Sequence, residues 1–443
     1  MGARHKAGHD VERSERFLSA GETQNPAPAP SVFRHRAFAL YWFSRIASIL
    51  SFQMLVVAVG WQLYELTGSA FDLGLLGLAQ FAPMLLLTLV VGHVADRYDH
   101  RIILTLCQIT EGCAAAILVF ATATGTLGTP VIYIAVAVVG SARAFEIPTM
   151  AAIIPSLVPR GEVQRAMAWF ASANQTGQIV GPALGGVLYL LGPEAVYGIT
   201  IALWGLGGVM LALMRFERGP RSTEPFSLTS LLGGFRFVRH DRIILGTLSL
   251  DMFAVFLGGA TALLPIFARD ILLTGPWGLG LLRAAPGAGA LAMSIILARR
   301  PLTLPVGTVL FSVLTIYGLA VTLFSFSTVL WLSMAALAVM GAADVVSVVI
   351  RFSLVQLRTP PQMRGRVSAV NGLFTGTSNQ LGDFRAGVMG ALFGAVPAVA
   401  IGGLGTILVT AIWMFLFPEL RRIRSLDEAT EAKAASVAGT EKS

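Results

Sequence analysis

Charge is scarce in this chain. Only 13% of its 443 residues are Asp, Glu, Lys or Arg, against roughly 25% in a soluble domain. With 55% hydrophobic residues and a mean hydropathy of +0.73, the deficit excludes a soluble enzyme. It implies a polytopic protein of the lipid bilayer with short aqueous parts. Cysteine is nearly absent: Cys107 and Cys113 share one apolar segment, so no disulfide framework or thiolate metal site is expected. No Gly-x-x-x-x-Gly-Lys-Ser/Thr loop occurs, which argues against ATP-driven transport by this chain. His5, His9, His35, His93, His100 and His240 lie in tails or at span ends, so neither a metal nor a cofactor is expected. Residues 1–30 have no apolar core of the kind a signal peptide needs.

What is present is a series of long apolar runs. They predict an all-α polytopic membrane protein with twelve transmembrane helices. The spans run over about 38–64, 71–95, 102–123, 130–155, 164–191 and 195–214. After a basic connector come 243–268, 277–298, 302–324, 329–354, 367–393 and 397–417. Domain limits follow: a disordered tail over 1–35, a six-helix bundle over 36–215, a connector over 216–241, a second bundle over 242–418 and a tail over 419–443.

The loops predict orientation. Loops on one side carry Arg97 and Arg101, Arg160 and Arg165, Arg299 and Arg300, and Arg358, Arg364 and Arg366. Opposite loops, apart from Arg269, carry no lysine or arginine. The positive-inside rule then places both termini and the connector in the cytoplasm. The net charge of +8 reads as these basic loops beside anionic lipid rather than as a nucleic-acid surface. The halves also echo each other. One common offset carries Gly140 onto Gly341, Pro159 onto Pro360, Arg165 onto Arg366, Gly181 onto Gly382 and Gly186 onto Gly387. Two pseudo-symmetric six-helix bundles place a substrate site near the midplane between them.

Ionisable side chains inside spans are costly, and each is a functional candidate. Arg45 lies in the first span and Asp251 in the equivalent place of the seventh. Glu111 lies in the third, and Arg143 and Glu146 share a face of the fourth. Asp344 is the repeat counterpart of Arg143. Asp383 and Arg385 lie in the eleventh span and Arg283 in the outer half of the eighth. Some must form structural pairs. Asp251, Glu146 and Asp383 are the first choices for proton handling, because a carboxylate in a low-dielectric cavity holds its proton more tightly. Arg143 and Arg45 tune those carboxylates or bind an anionic substrate group. Gln53, Gln62, Gln80, Asn174, Gln175, Gln178, Asn371, Asn379 and Gln380 add polar faces, and Trp61, Trp169 and Phe253 are candidate aromatic cavity walls, Trp61 being equally suited to an interface anchor.

Two stretches carry recognisable patterns. Gly177, Gly181, Pro182, Gly185 and Gly186 fall in ten residues of an uncharged run, a composition costly in a soluble helix. In a membrane they let helix backbones approach closely and bend. The run resembles the antiporter signature in the fifth helix of exporters of the major facilitator superfamily. After the second span comes Gly92-His-Val-Ala-Asp96-Arg97-Tyr-Asp-His100-Arg101. It resembles that superfamily's cytoplasmic loop signature, with His100 at the first of the two basic positions. Asp96 can accept from a neighbouring helix end and Arg97 can pair with an acid, contacts that would hold a cytoplasmic gate shut.

Across roughly residues 33–420 the chain is similar to the major facilitator superfamily, and within it to the group that includes the enterobactin exporters, the transmembrane secretion effectors. Phe33-Arg-His-Arg-Ala-Phe-Ala-Leu-Tyr-Trp42, Leu231-Leu-Gly-Gly-Phe-Arg-Phe-Val238, Asp251-Met-Phe-Ala-Val-Phe256 and Gln362-Met-Arg-Gly-Arg-Val367 carry the likeness. It implies a secondary exporter of small amphipathic molecules, siderophore or drug-like. Such a protein is driven by protons, works by alternating access, acts as a monomer in the inner membrane, and is not an enzyme. An uptake symporter or uniporter on the same fold, or a non-transporting membrane scaffold or lipid-handling protein, are the alternatives.

Overall fold

The structure, a computed structural model, describes residues 31–215, 228–300 and 304–425; the side chains of residues 88, 89, 92, 93, 95, 96 and 228–231 lie outside the description. Most of both expected tails, and residues 216–227 of the connector, therefore also fall outside it.

The first half holds α1 (Arg36–Thr67), α2 (Ala70–Arg97), α3 (His100–Ala123), α4 (Thr129–Leu157), α5 (Val163–Leu188) and α6 (Pro193–Leu213). A connector helix α7 (Leu228–His240) follows. The second half holds α8 (Arg242–Gly258), α9 (Pro276–Arg299), α10 (Val306–Phe326), α11 (Leu330–Arg358), α12 (Arg364–Phe393) and α13 (Ala395–Leu416). Side-chain caps mark several starts, satisfying amides that have no partner within the helix. Ser69 accepts from the Asp72 amide, Asp99 from Arg101 and Asp241 from Ile243 and Ile244.

Among the described residues, ten helical runs are long and apolar enough to cross a membrane, with 242–271 counted as one. The fifth and eleventh expected spans correspond to α5 and α12, 26 and 30 residues long but less apolar. Their place in the twelve-span expectation rests on length and packing. Glycines and amides lower their apolarity because each is wedged against helices rather than turned wholly to lipid.

The pairing pattern shows the repeat. In the first half α1 packs on α5 and α6, α3 on α4 and α6, and α2 on α4. In the second, α8 packs on α12 and α13, α10 on α11 and α13, and α9 on α11. Each pairing has its counterpart. The halves meet where α5 lies against α9 and α2 against α12. At the end of the molecule that bears both termini, similar pins recur. Glu162 binds Arg34 at 2.5 Å and His35 at 3.0 Å, and Asp241 binds Arg358 at 3.0 Å.

Three expectations are corrected. The seventh span is not one continuous helix. It breaks after Gly258 and resumes as short turns over Thr261–Leu263, Leu264–Ile266 and Phe267–Ile271. The C-terminal tail does not begin at 419: Leu420 and Ile423 are buried, and the Ile423 carbonyl accepts from the Gly307 amide at 3.0 Å. The N-terminal tail likewise ends before 35, since Val32 is buried in a short helical turn. At both tails, apolar side chains at the edge of a polar segment are buried against the bundle, which composition does not reveal.

Small residues set the closest approaches. A Cβ at Gly289 would stand 1.8 Å from the Ala338 carbonyl oxygen, and one at Gly341 2.0 Å from that of Pro286. Helices α9 and α11 therefore touch backbone to backbone, as small residues permit in membranes. Gly289→Val is expected to destabilise by about 1–3 kcal/mol through overpacking, read as a lowered thermal midpoint in detergent. Gly198, where a Cβ meets nothing within 4 Å, is expected to accept Ala without loss. Equal midpoints for the two variants would contradict this packing.

Candidate functional site

Four ionisable side chains meet inside the first half. Arg45 comes from α1, Glu111 from α3, and Arg143 and Glu146 from one face of α4. Their exposures of 5%, 0%, 7% and 0% leave them to be satisfied by each other. Arg143 Nη1 lies 3.3 Å from Glu146 Oε2. The Ser48 hydroxyl donates to Glu146 Oε1, which Arg45 Nη1 approaches at 3.9 Å. Arg45 also donates from Nε and Nη2 to Asn174 Oδ1 of α5, at 2.9 and 2.6 Å. The Arg143 guanidinium sits 3.6 Å from the centroid of the Phe52 ring, a cation–π contact. Glu146 thus gathers the donors. Glu111 lies in the field of Glu146, Arg143 and Arg45, yet neither of its oxygens has a hydrogen-bond partner.

The second half uses its charges differently. Asp251 of α8 is ion-paired with Arg351 of α11, both nearly sealed. Arg351 is absent from the candidates read from sequence. It falls inside the span expected over 329–354, near its arginine-bearing end, and its position along the helix gave no sign that it faces Asp251. Asp344, half-buried on α11, neighbours Tyr317 of α10 rather than this pair.

Asp383 and Arg385 are placed by the break in the seventh span. Where a helix breaks, carbonyls before the gap and amides after it lose their partners. Arg385 donates to the carbonyls of Phe256 and Leu257, at 3.0 and 2.5 Å. Asp383 Oδ1 accepts from the Thr261 hydroxyl at 2.7 Å and the Ala262 amide at 3.3 Å. One turn of α12 therefore satisfies both sides of the gap.

A cavity of about 260 Å³ lies between the halves. Phe52 and Gln53 of α1, Gln80 of α2, Thr261 at the helix break, Arg283 of α9, and Gln380 and Asp383 of α12 supply its polar and aromatic wall, and aliphatic side chains and two glycines, Gly60 and Gly77, complete it. The aromatic wall is Phe52. Trp61 instead bonds Glu65 at 2.6 Å, Trp169 packs against Phe33 and Trp42, and Phe253 packs against Trp413.

Beyond the cavity, away from the termini, the halves are closed on each other. Tyr64 of α1 donates to Asp270, and Arg269 donates to the Tyr64 carbonyl at 3.2 Å. At mid-depth, Gln175 of α5 also joins the halves by donating to the Gly287 carbonyl at 2.8 Å. A Cβ at Gly186 would lie 2.9 Å from Gly280 Cα, and one at Gly74 2.8 Å from Gly387 Cα. The glycine motif of α5 serves two kinds of contact, with α1 inside the first half and with α9 across the interface. Gly177 faces Ile49, Gly181 faces Gln53 and Gly185 faces Met54, while the Pro182 carbonyl and Gly186 face Gly280. In the loop motif, the side chains of Gly92 and Asp96 lie outside the described residues. Arg97 is exposed and His100 opens α3. Arg101 donates to the Met214 carbonyl at the end of α6, at 2.7 Å, a favourable place for a cation.

Two helical bundles with a polar cavity at their interface define a membrane transporter of the major facilitator fold. The chain belongs to the transmembrane secretion effector family of that superfamily, whose model matches residues 27–438. It is 28% identical over 396 residues to the enterobactin exporter EntS of Citrobacter koseri, covering 88% of this chain and 94% of that one. It is 27% identical over 404 residues to EntS of Salmonella choleraesuis, covering 90% and 96%. In fold it is similar to a bacterial homologue of the human lysosomal transporter Spinster, in an inward-facing and unoccupied conformation. That match has a TM-score of 0.68 and 15% identity, and covers 90% of this chain and 98% of that one. The family is one of small-molecule transporters embedded in the inner membrane, not of enzymes.

Arg351→Leu strands Asp251 without its partner and is expected to cost about 3–5 kcal/mol. Arg351→Leu combined with Asp251→Leu is expected to recover most of that loss. Thermal melting in detergent checks both. A double variant no more stable than the single one would show that the pair is not a self-contained unit.

Proposed function

We propose that the chain is a proton-coupled exporter of small amphipathic molecules, siderophore or drug-like, working by alternating access with both termini in the cytoplasm. The observation that carries this reading is Phe52. One side of its ring borders the cavity between the halves, and the Arg143 guanidinium stacks on the ring. Cargo in the cavity and the charge cluster therefore share a wall. Displacing Phe52 disturbs Arg143, and through it the Arg143–Glu146 pair that lies beside Glu111.

Glu111 is the exchangeable proton site in this reading. A charged carboxylate with no partner costs several kcal/mol at such burial, so it carries a proton while Arg45 and Arg143 are held by Glu146 and Asn174. If either arginine turns to Glu111, the proton leaves. Cys107 is a further titratable neighbour of Glu111, and Tyr41 lies in the field of Arg45 and Glu146. Asp251 is closed off by Arg351, and Asp383 is occupied at the helix break. Closure at the end away from the termini, with basic loops at the other, fits a state open to the cytoplasm and ready to load. Export rather than uptake is favoured by the relatives, which are named as enterobactin exporters. The cavity is built within one chain, which suits a monomer.

The test is proton movement in proteoliposomes on adding enterobactin or ethidium. Wild type is expected to show cargo-dependent proton flux. Glu111→Gln is expected to bind cargo but abolish that flux. Flux in Glu111→Gln equal to wild type would remove Glu111 from the coupling path. Absence of flux in wild type with every compound would defeat proton coupling itself.

A further inference from the structure

The cavity wall holds a cation that its surroundings leave uncompensated. Arg283 lines the cavity from α9. Its Nε is buried without a hydrogen-bond partner. Among the described residues it makes no hydrogen bond. A guanidinium offers five donors in a rigid fork; the Arg283 side chain is half-buried, with its Nε sealed from solvent. Its charged neighbour is Asp383, but Asp383 Oδ1 is committed to Thr261 and Ala262 across the helix break. Asp383 also lies in the field of Arg385, whose own donors go to backbone carbonyls and the Met389 sulfur. Two guanidinium groups thus share one carboxylate, leaving one positive charge in excess at the cavity. Gln53, Gln80 and Gln380 carry neutral amides around it.

We infer that Arg283 is the anion-recognising residue of this cavity and that the transported molecule carries an acidic group, a carboxylate or an ionised phenol, seated against it. Arg283 supplies a planar fork that matches two oxygens of such a group. The glutamine amides bond adjacent hydroxyl or carbonyl groups, and Phe52 and the aliphatic wall cover an aromatic or alkyl body. At about 260 Å³ the cavity lies just below the ~300–1,000 Å³ usual for small-molecule sites. It therefore seats the acidic moiety of a larger molecule or one small aromatic acid. The inference deepens the transport reading and rests on it for the word cargo, though the anion site itself does not depend on it.

A matched pair of probes tests the site. Binding of 2-naphthoate and of its neutral analogue 2-naphthamide is measured calorimetrically on the full chain in lipid nanodiscs. Wild type is expected to prefer the acid by at least about tenfold, the scale of a charge-assisted hydrogen bond in a sheltered site. Arg283→Gln is expected to bring the two affinities within about twofold, and Arg283→Lys to restore part of the preference. Asp383→Asn removes the wall carboxylate while keeping an acceptor for Thr261. It is expected to tighten naphthoate severalfold and leave naphthamide unchanged, which keeps the test decisive should Arg283→Gln not fold. Equal binding of acid and amide by wild type, no binding of either, or an acid preference that survives Arg283→Gln overturns the inference. Acid-selective binding without cargo-driven proton flux in proteoliposomes would leave the site standing and sink the proton-coupled reading. Flux without acid preference would do the reverse.

Discussion

Inside a bilayer no water waits to take over a lost hydrogen bond. Every buried charge and every interrupted helix must therefore find its partner within the protein. The broken seventh span shows the rule at its most demanding. Carbonyls of Phe256 and Leu257 on one side of the gap, and the Ala262 amide on the other, are met by Arg385 and Asp383 from a single turn of α12. The same demand joins Asp251 to Arg351 and gathers Arg143, Arg45 and Ser48 around Glu146. Among the described residues, several buried polar atoms still lack a hydrogen bond; two of them belong to groups that matter here, Glu111, with neither oxygen partnered, and Arg283, whose unpartnered Nε belongs to a guanidinium on the cavity wall.

Close backbone packing is the second constraint. With little hydrophobic force between helices in lipid, association relies on contact surface, and small residues at crossing points supply it. Gly289 against Ala338 locks α9 to α11 within one half, whereas Gly186 against Gly280 and Gly74 against Gly387 join the two halves. The first kind of contact makes each half stiff. The second kind is shared between bodies that alternating access must separate, and these surfaces fit without interlocking large side chains. Helices α5 and α12 serve both purposes, which accounts for their reduced apolarity.

Much of the architecture was legible beforehand. The long apolar runs, the arginine-bearing loops on one side and the offset relating the halves led to the observed order of helices and to their repeated pairing. The candidate site was legible only in part. Arg45, Arg143, Glu146 and Glu111 were all visible as charges in spans, but depth along a helix does not say which partner each faces. Asp251 and Asp383 looked equivalent to Glu146 as proton carriers, yet Arg351 answers one and a helix break occupies the other. Trp61, Trp169 and Phe253 looked suited to a cavity wall, while the residue there is Phe52. Rotation about a helix axis moves a side chain from lipid to cavity without changing its position in the sequence.

The sequence by itself determined a helical membrane transporter, its repeat, its family, and the inventory of charges that lipid would oblige it to satisfy. The helices, the repeat and the charges follow from composition and periodicity, which act locally along the chain, whereas the transporter family rested on the resemblance of a few short motifs. Only the tertiary structure decided which charges are paired, where the seventh span breaks, and that Phe52 stands between cavity and charge cluster. Each of these depends on side chains far apart in the chain meeting across a helix interface. Examples are Arg45 with Asn174, Asp251 with Arg351 and Thr261 with Asp383. Such meetings are set by helix rotation and packing, which no single stretch of sequence encodes.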